Sequence, residues 1–138
     1  MKKAKEFNDK GRFFPILGTS LGMESMVISM TGNNKQVISC NYDDHETNHT
    51  IQKTSEFLKS KFWGKIDSDL VDKAFSNGYL YYSHICGFDP IKLANDPAFQ
   101  KEGIITGTSI SKNGKKFVAM VEHKSYPFIA LQWHPEKT

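Results

Sequence analysis

The sequence predicts an α/β fold, with one domain over residues 1–138 built as a three-layer sandwich. Three observations support this prediction. Segments with the patterns of strands and helices alternate along most of the chain, an Asn-Gly hairpin signal follows them, and the final apolar run, FIALQW, is typical of a buried strand. A chain of 138 residues with 38% hydrophobic and 24% charged residues can also bury a core of its own.

The first half of the chain supplies elements of both kinds. An apolar run over residues 13–18 predicts a buried strand, and apolar side chains at helical spacing predict a helix over residues 21–30. Alternation of apolar and polar residues predicts a strand over residues 35–40. Residues 41–53 are polar and show no periodic pattern, so we interpret them as a long loop. Short helices are expected over residues 54–60 and 68–75, the second with Ser68 as its N-cap.

The second half is richer in strands. The aromatic segment 79–85 predicts a strand, and residues 90–100 predict a helix that Pro97 limits. Asn113-Gly114 predicts a hairpin between strands 103–111 and 115–123, before a last strand over residues 128–133. Sites in α/β sheets form at the carboxyl ends of strands, so Ser20 and His134, which each follow a strand, are expected at one edge.

The charge and hydropathy of the sequence argue against two kinds of binding partner, nucleic acids and membranes. The net charge of +3 is small and scattered, which argues against a nucleic-acid partner, and no apolar run is long enough to span a membrane. The basic N-terminal residues lack an apolar stretch, so no signal peptide is expected as the sequence is given. The Asn48 sequon carries little weight, since about one is expected by chance.

Two residue pairs invite a metal or redox interpretation. Cys40 and Cys86 match no metal or redox spacing, so two buried thiols are expected, with a disulfide left open. His45 and His49 stand four apart among carboxylates, but without a helical frame or a further ligand a solvated loop is favoured. We therefore expect no metal and no cofactor.

The two ends of the chain carry the candidate chemistry. Gly-Thr-Ser-Leu-Gly at residues 18–22 is either a nucleophile elbow around Ser20 or a tight corner whose glycines relieve crowding. His134 and Glu136 stand two apart in an extended segment and share a face, so the carboxylate can orient the imidazole ring. Glu24, one helical turn beyond Ser20, is interpreted either as a substrate-binding residue or as an ordinary exposed helix residue.

Together, FPILGTSLGMESM and YPFIALQWHPEK resemble the class I glutamine amidotransferase-like (flavodoxin-like) fold. Within it they are similar to the γ-glutamyl hydrolases, which cleave γ-linked glutamate chains such as those of folate polyglutamates. The resemblance runs from about residue 4 to 137 and includes SHICGFDP at residues 83–90. It implies a Cys-His-Glu type acyl transfer with Ser20 at the nucleophile position, His134 and Glu136 as the other two members, and Leu21 N–H as an oxyanion donor. His84 would contact the substrate.

The chain departs from that family in two ways. The family's nucleophile is a cysteine, and a serine hydroxyl must lose its proton during attack, so Ser20 is expected to be a poor nucleophile. The strand-helix units before the elbow, with their oxyanion loop, and the terminal helix are missing from the sequence as given. We therefore expect a partial domain, incomplete at both ends, that is marginally stable or self-associating when expressed alone.

Several functions stay open at this point. The chain is either an impaired γ-glutamyl hydrolase or a non-catalytic binding or assembly module, and its serine is either natural or engineered from cysteine. An α/β-hydrolase would need an acid between Ser20 and His134 in chain order, which Glu136 argues against. The resemblance implies a γ-glutamyl peptide or folate polyglutamate as substrate, and a homo-oligomer or a complementing N-terminal half as a macromolecular partner. A lysosomal, vacuolar or secreted location would follow if an upstream segment is missing.

Overall fold

A computed structural model describes residues 1–137 and is organised around a five-stranded mixed sheet. The strands are β1 (Ile16–Thr19), β2 (Ile38–Ser39), β3 (Asp44–His49), β4 (Gln52–Lys53), β5 (Leu80–His84), β6 (Gly87–Phe88), β7 (Gly103–Ile110), β8 (Lys116–His123) and β9 (Phe128–Leu131). The α-helices are α1 (Lys2–Asp9), α2 (Leu21–Met30), α3 (Ser68–Ser76), α4 (Pro90–Ala94) and α5 (Pro97–Glu102). Short 3₁₀ helices cover Lys35–Val37, Ser55–Lys59 and Trp63–Lys65.

The strand order of the main sheet is β1-β9-β8-β7-β4, with β1 and β9 parallel and the other pairs antiparallel. Two smaller antiparallel sheets pair β2 with β6 and β3 with β5. The β7–β8 hairpin is the longest pairing because both strands are eight residues long and Asn113-Gly114 closes the turn, with Gly114 at a φ of 80°.

Two hydrophobic clusters lie on opposite faces of the main sheet. One joins α1, α2, α4 and α5 to the sheet, and Met23, Val27 and Phe128 are completely buried in it. The other joins α3, the β3–β5 sheet and two of the 3₁₀ helices to the opposite face, around Tyr82 and Phe117. Strand β8 contributes side chains to both clusters, with Val118 and Val121 in the first and Phe117, Ala119 and Met120 in the second. The predicted three-layer α/β fold is confirmed.

Most predicted strands and helices are present, and the errors fall in polar segments. Residues 35–40 form a 3₁₀ turn and the two-residue β2 instead of one strand, and the expected loop 41–53 contains β3 and β4. The predicted helix 90–100 is divided into α4 and α5, because Asp96 caps α5 by accepting a hydrogen bond from the Phe99 N–H. Helix α1 was not predicted from the sequence. Its residues are mostly polar and Ala4 is its one buried side chain, so it shows little apolar periodicity.

The expectation of two buried thiols is wrong, because Cys40 and Cys86 form a disulfide. Spacing could not reveal this pairing, since 46 positions separate the two residues in sequence. The antiparallel pairing of β2 with β6 sets Ser39 opposite Gly87 and so brings the neighbouring cysteines together. Cys40 is exposed and Cys86 is half-buried.

Strand β1 forms one edge of the main sheet and pairs with β9 on its other side. Leu17 in β1 is 60% exposed and Phe13 just before it is 78% exposed, so apolar surface accompanies an open strand edge. Within residues 1–137, no helix combines the length and the apolar character that crossing a bilayer requires.

Candidate active site

Ser20 occupies a strained corner between β1 and α2. Its backbone has φ 49° and ψ −114°, outside the left-handed helical region that non-glycine residues occasionally adopt. The corner is held by a hydrogen bond from the Ser20 N–H to the Leu131 carbonyl (2.8 Å) and by one from the Glu24 N–H to the Ser20 carbonyl (3.1 Å). The Ser20 hydroxyl does not cap α2. This is the backbone geometry of a nucleophile elbow, in which strain exposes a side chain at a helix N-terminus.

Crowding explains one glycine of the motif and not the other. A Cβ at Gly18 would lie 2.4 Å from Met26 Sδ and 2.8 Å from the Gly22 carbonyl oxygen, whereas a Cβ at Gly22 would meet no atom within 4 Å. The tight-corner interpretation of the sequence therefore accounts for Gly18 alone. It does not account for the strained conformation of Ser20 itself.

His134 and Glu136 form a hydrogen-bonded pair just beyond β9. The His134 Nδ1 and Glu136 Oε1 atoms are 2.8 Å apart, and this hydrogen bond lowers the pKa of the Glu136 carboxyl. The His134 N–H donates to the Tyr81 carbonyl (2.9 Å), and the two rings meet edge to face with their centres 6.0 Å apart. Because Nδ1–H donates to the carboxylate, Nε2 is left as the free base.

The register of two parallel strands brings Ser20 and His134 to the same edge of the sheet. Thr19 at the end of β1 lies opposite Leu131 at the end of β9, so the residues that follow both strands emerge side by side. The expected shared edge is confirmed. The structure gives no hydrogen bond between the two side chains within residues 1–137.

A cleft of about 330 Å³ opens beside Ser20. Its lining includes four of the residues predicted to bind substrate or take part in catalysis, namely Ser20, Leu21, Glu24 and His84. As the first residue of α2, Leu21 has a backbone N–H without an acceptor in the helix, which suits an oxyanion donor. The remaining lining residues are Asp44, His45, Ser83, Ile85 and Cys86.

Glu24 is half-buried in this cleft, and that burial raises the pKa of its carboxyl. The neighbouring Gln132 amide lowers the pKa in part, although its geometry completes no hydrogen bond within residues 1–137. A carboxyl with a raised pKa inside a cleft is a candidate for substrate contact.

His84 lies in the floor of the cleft, with a side chain only 3% exposed. Its Nδ1 is 2.9 Å from the Cys86 carbonyl oxygen and its Nε2 is 3.2 Å from Asp44 Oδ2. Burial lowers the pKa of the His84 ring, and the Cys86 carbonyl and Asp44 oppose this shift. Both ring nitrogens thus face protein atoms, so a substrate contact by His84, as the resemblance implies, would need one of these contacts to open.

Sequence reasoning missed Asp44 and misjudged His49. The segment expected to be a solvated loop is strand β3, in which Asp44 is completely buried and binds His49 Nε2 through Oδ1 (2.6 Å). His45, the other histidine of the pair for which a metal was considered and not favoured, is exposed. In residues 1–137, no three His, Cys, Asp or Glu side chains are grouped to hold a metal ion. A single buried Asp between exposed polar residues gives no signal in sequence, because β3 alternates weakly.

Comparisons with known proteins agree with this geometry. The family model for glutamine amidotransferase class-I matches residues 2–138. γ-Glutamyl hydrolase 1 of Arabidopsis thaliana is 29% identical over 98% of this chain and 38% of its own length, and γ-glutamyl hydrolase B of Dictyostelium discoideum is 26% identical over 96% and 38%. The chain thus spans about two fifths of the length of these relatives.

A solved structure of a protein described as part of a GMP synthase, from Thermoplasma acidophilum, superposes with a TM-score of 0.51. The match covers 92% of this chain and 50% of the other, at 17% identity. That likeness concerns the fold alone. The resemblance to γ-glutamyl hydrolases drawn from the sequence is confirmed by the curated relatives, and the family match over nearly the whole chain shows that it belongs to the class I glutamine amidotransferase family.

Proposed function

We propose that this chain forms the nucleophile side of a γ-glutamyl hydrolase site that acts on γ-glutamyl bonds of the folyl-poly-γ-glutamate type. Ser20 stands at the nucleophile position, His134 is the general base and acid, and Glu136 orients the His134 ring. Leu21 N–H is one oxyanion donor, and Glu24 and His84 are the substrate-binding candidates. The observation that carries the proposal is the His134–Glu136 hydrogen bond at the same sheet edge as the strained Ser20.

The proposed reaction proceeds in two halves. Ser20 Oγ attacks the γ-carbonyl carbon while its proton passes to His134 Nε2, and the developing oxyanion accepts a hydrogen bond from the Leu21 N–H. His134 then gives this proton to the leaving nitrogen, so an amine departs and an ester to Ser20 remains. A water molecule attacks the ester, passes its proton through His134 back to Ser20, and releases the γ-carboxylate.

The serine limits this reaction. A cysteine at the N-terminus of α2 beside a histidine would form a thiolate before attack, because the helix dipole and the imidazolium both lower its pKa. A hydroxyl stays protonated there and must lose its proton in the transition state. With a single oxyanion donor in addition, a further loss of about 10²–10³ in rate is expected, so we propose that the chain by itself is a weak catalyst.

A second candidate function is a non-catalytic binding module. Ser20 in place of a cysteine favours it, because the cleft and its polar lining remain while the nucleophile is poor. Such a module would bind γ-glutamyl peptides without cleaving them, either alone or as part of a complex with a complementing half or a second copy.

Glutamate release from a γ-glutamyl peptide distinguishes these functions. We would compare the chain, its Ser20→Cys variant, and each of the two fused to the N-terminal half of a curated relative. Turnover should rise strongly only in the fused Ser20→Cys protein, because thiolate formation and oxyanion stabilisation act on the same barrier. His134→Gln in that protein should abolish turnover, and Glu136→Gln should reduce it without affecting folding.

Two results would count against the proposal. Appreciable turnover by the unmodified chain that Ser20→Ala removes would show that serine is an efficient nucleophile here. No turnover by any of the four proteins, together with peptide binding by calorimetry, would establish the binding module instead.

A further inference from the structure

Asp44 contributes a completely buried carboxylate to the lining of the cleft, and the roles proposed above leave it unused. It begins β3 and lies opposite His84 of β5 in the strand register. Its Oδ1 accepts hydrogen bonds from His49 Nε2 (2.6 Å) and from the Lys112 backbone N–H (3.1 Å). Its Oδ2 lies 3.2 Å from His84 Nε2.

The contacts of His84 suit a ring that carries a proton on each nitrogen. Nδ1 faces the Cys86 carbonyl oxygen and Nε2 faces the Asp44 carboxylate, and both of these partners are acceptors. A neutral imidazole carries one N–H, so it leaves a lone pair pointing at an acceptor at one end or the other. Nε2 and Asp44 Oδ2 complete no hydrogen bond within residues 1–137, and a buried unpartnered pair of this kind calls for an explanation.

A comparison of the groups around His84 identifies the one that favours a second proton on its ring. Burial opposes a charge on the ring and lowers the His84 pKa, and the nearby His49 and His134 lower it further. The Cys86 carbonyl and Asp44 raise it. The other close neighbours, which include Tyr82 and Phe117, contact His84 through their rings. Asp44 is thus the ionisable group on the facing elements that stabilises the imidazolium.

We propose that Asp44 is a positioning residue: its carboxylate, oriented by His49, holds a proton on Nε2 of His84 and thereby fixes the cleft wall at residues 83–86. The proton on Nε2 joins His84 to Asp44 of β3, and Nδ1 of the same ring faces the Cys86 carbonyl. The cleft wall beside Ser20 is thus held from both sides of the His84 ring. The consequence for γ-glutamyl substrates rests on the function proposed above. A wall fixed in this way would shape the cleft for the substrate without Asp44 touching it.

The proton can be observed in the unaltered protein. Nitrogen-15 shifts of the His84 ring should show hydrogens on both nitrogens once the pH falls below the lowered pKa of the ring while the protein is still folded. Asp44→Asn keeps the size of the side chain and removes its charge, so the His84 pKa should fall. Asp43→Asn is the matched control, because it removes the same charge from an exposed neighbour and should leave the His84 pKa unchanged.

Binding provides the second measurement. The affinity for γ-glutamylglutamate, measured by calorimetry across pH, should fall roughly tenfold in Asp44→Asn, about the effect of losing one hydrogen bond to a charged group. Its pH profile should shift to lower pH, whereas Asp43→Asn should match the wild type. If Asp44→Asn does not fold, His49→Gln tests the same network through binding: the peptide affinity should fall by less than in Asp44→Asn, and an unchanged affinity would count against the inference. The His84 pKa is not the readout for this variant, because His49 itself lowers it.

The failures of the two proposals can be told apart. A His84 ring that stays singly protonated throughout the folded pH range, or a His84 pKa unchanged in folded Asp44→Asn, overturns the positioning inference. So does unchanged peptide affinity in Asp44→Asn when the wild type binds. A doubly protonated ring that responds to Asp44→Asn, in a wild-type protein that binds no γ-glutamyl peptide, supports the proton placement and refutes the proposed substrate.

Discussion

Replacing Ser20 by glycine should leave a more stable protein than replacing it by alanine. Both changes remove the hydroxyl, which caps nothing in α2, so their difference isolates the backbone conformation at φ 49° and ψ −114°. A non-glycine residue in such a region costs on the order of 1–3 kcal/mol, and glycine avoids this cost. Glycine also gains freedom in the unfolded chain, which offsets about 0.5–1 kcal/mol of the benefit.

The expected difference is therefore roughly 0–2.5 kcal/mol, with a midpoint of about 1 kcal/mol, in favour of Ser20→Gly. In a chain of this size each kcal/mol shifts Tm by about 4 °C, so thermal and urea unfolding can both resolve it. Ser25→Gly and Ser25→Ala form the control pair, because Ser25 lies inside α2 and there alanine should be the more stable of the two. If Ser20→Ala proved at least as stable as Ser20→Gly, the elbow would not be strained and our account of the motif would fail.

Three further outcomes are expected. Replacing Cys40 and Cys86 by serine should lower the free energy of unfolding by about 2–4 kcal/mol, and a reductant should then no longer change the stability. Leu17→Lys at the open edge of β1 should reduce concentration-dependent self-association in sedimentation, whereas unchanged association would place that contact elsewhere. Asp96→Ala should cost about 0.5–2 kcal/mol through the lost cap of α5. Hydrogen bonding to the Phe99 N–H lowers the Asp96 pKa, so the Asp96 contribution is present above the ordinary aspartate pKa. Urea unfolding at a series of pH values should show this contribution to the free energy of unfolding disappear as the pH falls through the lowered Asp96 pKa.

The elements that sequence predicted well are those whose side chains show their burial directly. The β7–β8 hairpin has an Asn-Gly turn between two apolar strands, and α2 buries Met23, Met26, Val27 and Met30 at helical spacing. Strand β3 has no such pattern. Its sequence, DHETNH, is held as a strand by backbone pairing with β5 and by one buried carboxylate, so tertiary contacts decide its structure.

The same distinction separates the parts of the candidate site. Ser20 and His134 follow strands whose apolar runs are visible in sequence. The expected pairing of His134 with Glu136 is present, but the expected extended segment is wrong, because residues 135 and 136 form a turn in which the Lys137 N–H donates to the His134 carbonyl. Asp44 meets His84 through a cross-strand pairing between segments 40 residues apart, and the Cys40–Cys86 disulfide depends on the β2–β6 pairing in the same way. Contacts of this kind depend on register, which a single sequence specifies weakly for short polar strands.

The side chain at the proposed nucleophile position, Ser20, is separable from the rest of this candidate site. The strained backbone of Ser20 is held by the Leu131 carbonyl and the start of α2, and the His134–Glu136 pair is held by the Tyr81 carbonyl and by its own hydrogen bond. None of these contacts uses the Ser20 hydroxyl. Exchange of oxygen for sulfur at this position therefore leaves the scaffold unchanged and alters one step, the removal of the nucleophile's proton. A difference in turnover between the fused Ser20 and fused Ser20→Cys proteins, which share both oxyanion donors, consequently measures that change. We therefore attribute this part of the weak catalysis expected of the chain to the proton, and the remaining part to the single oxyanion donor.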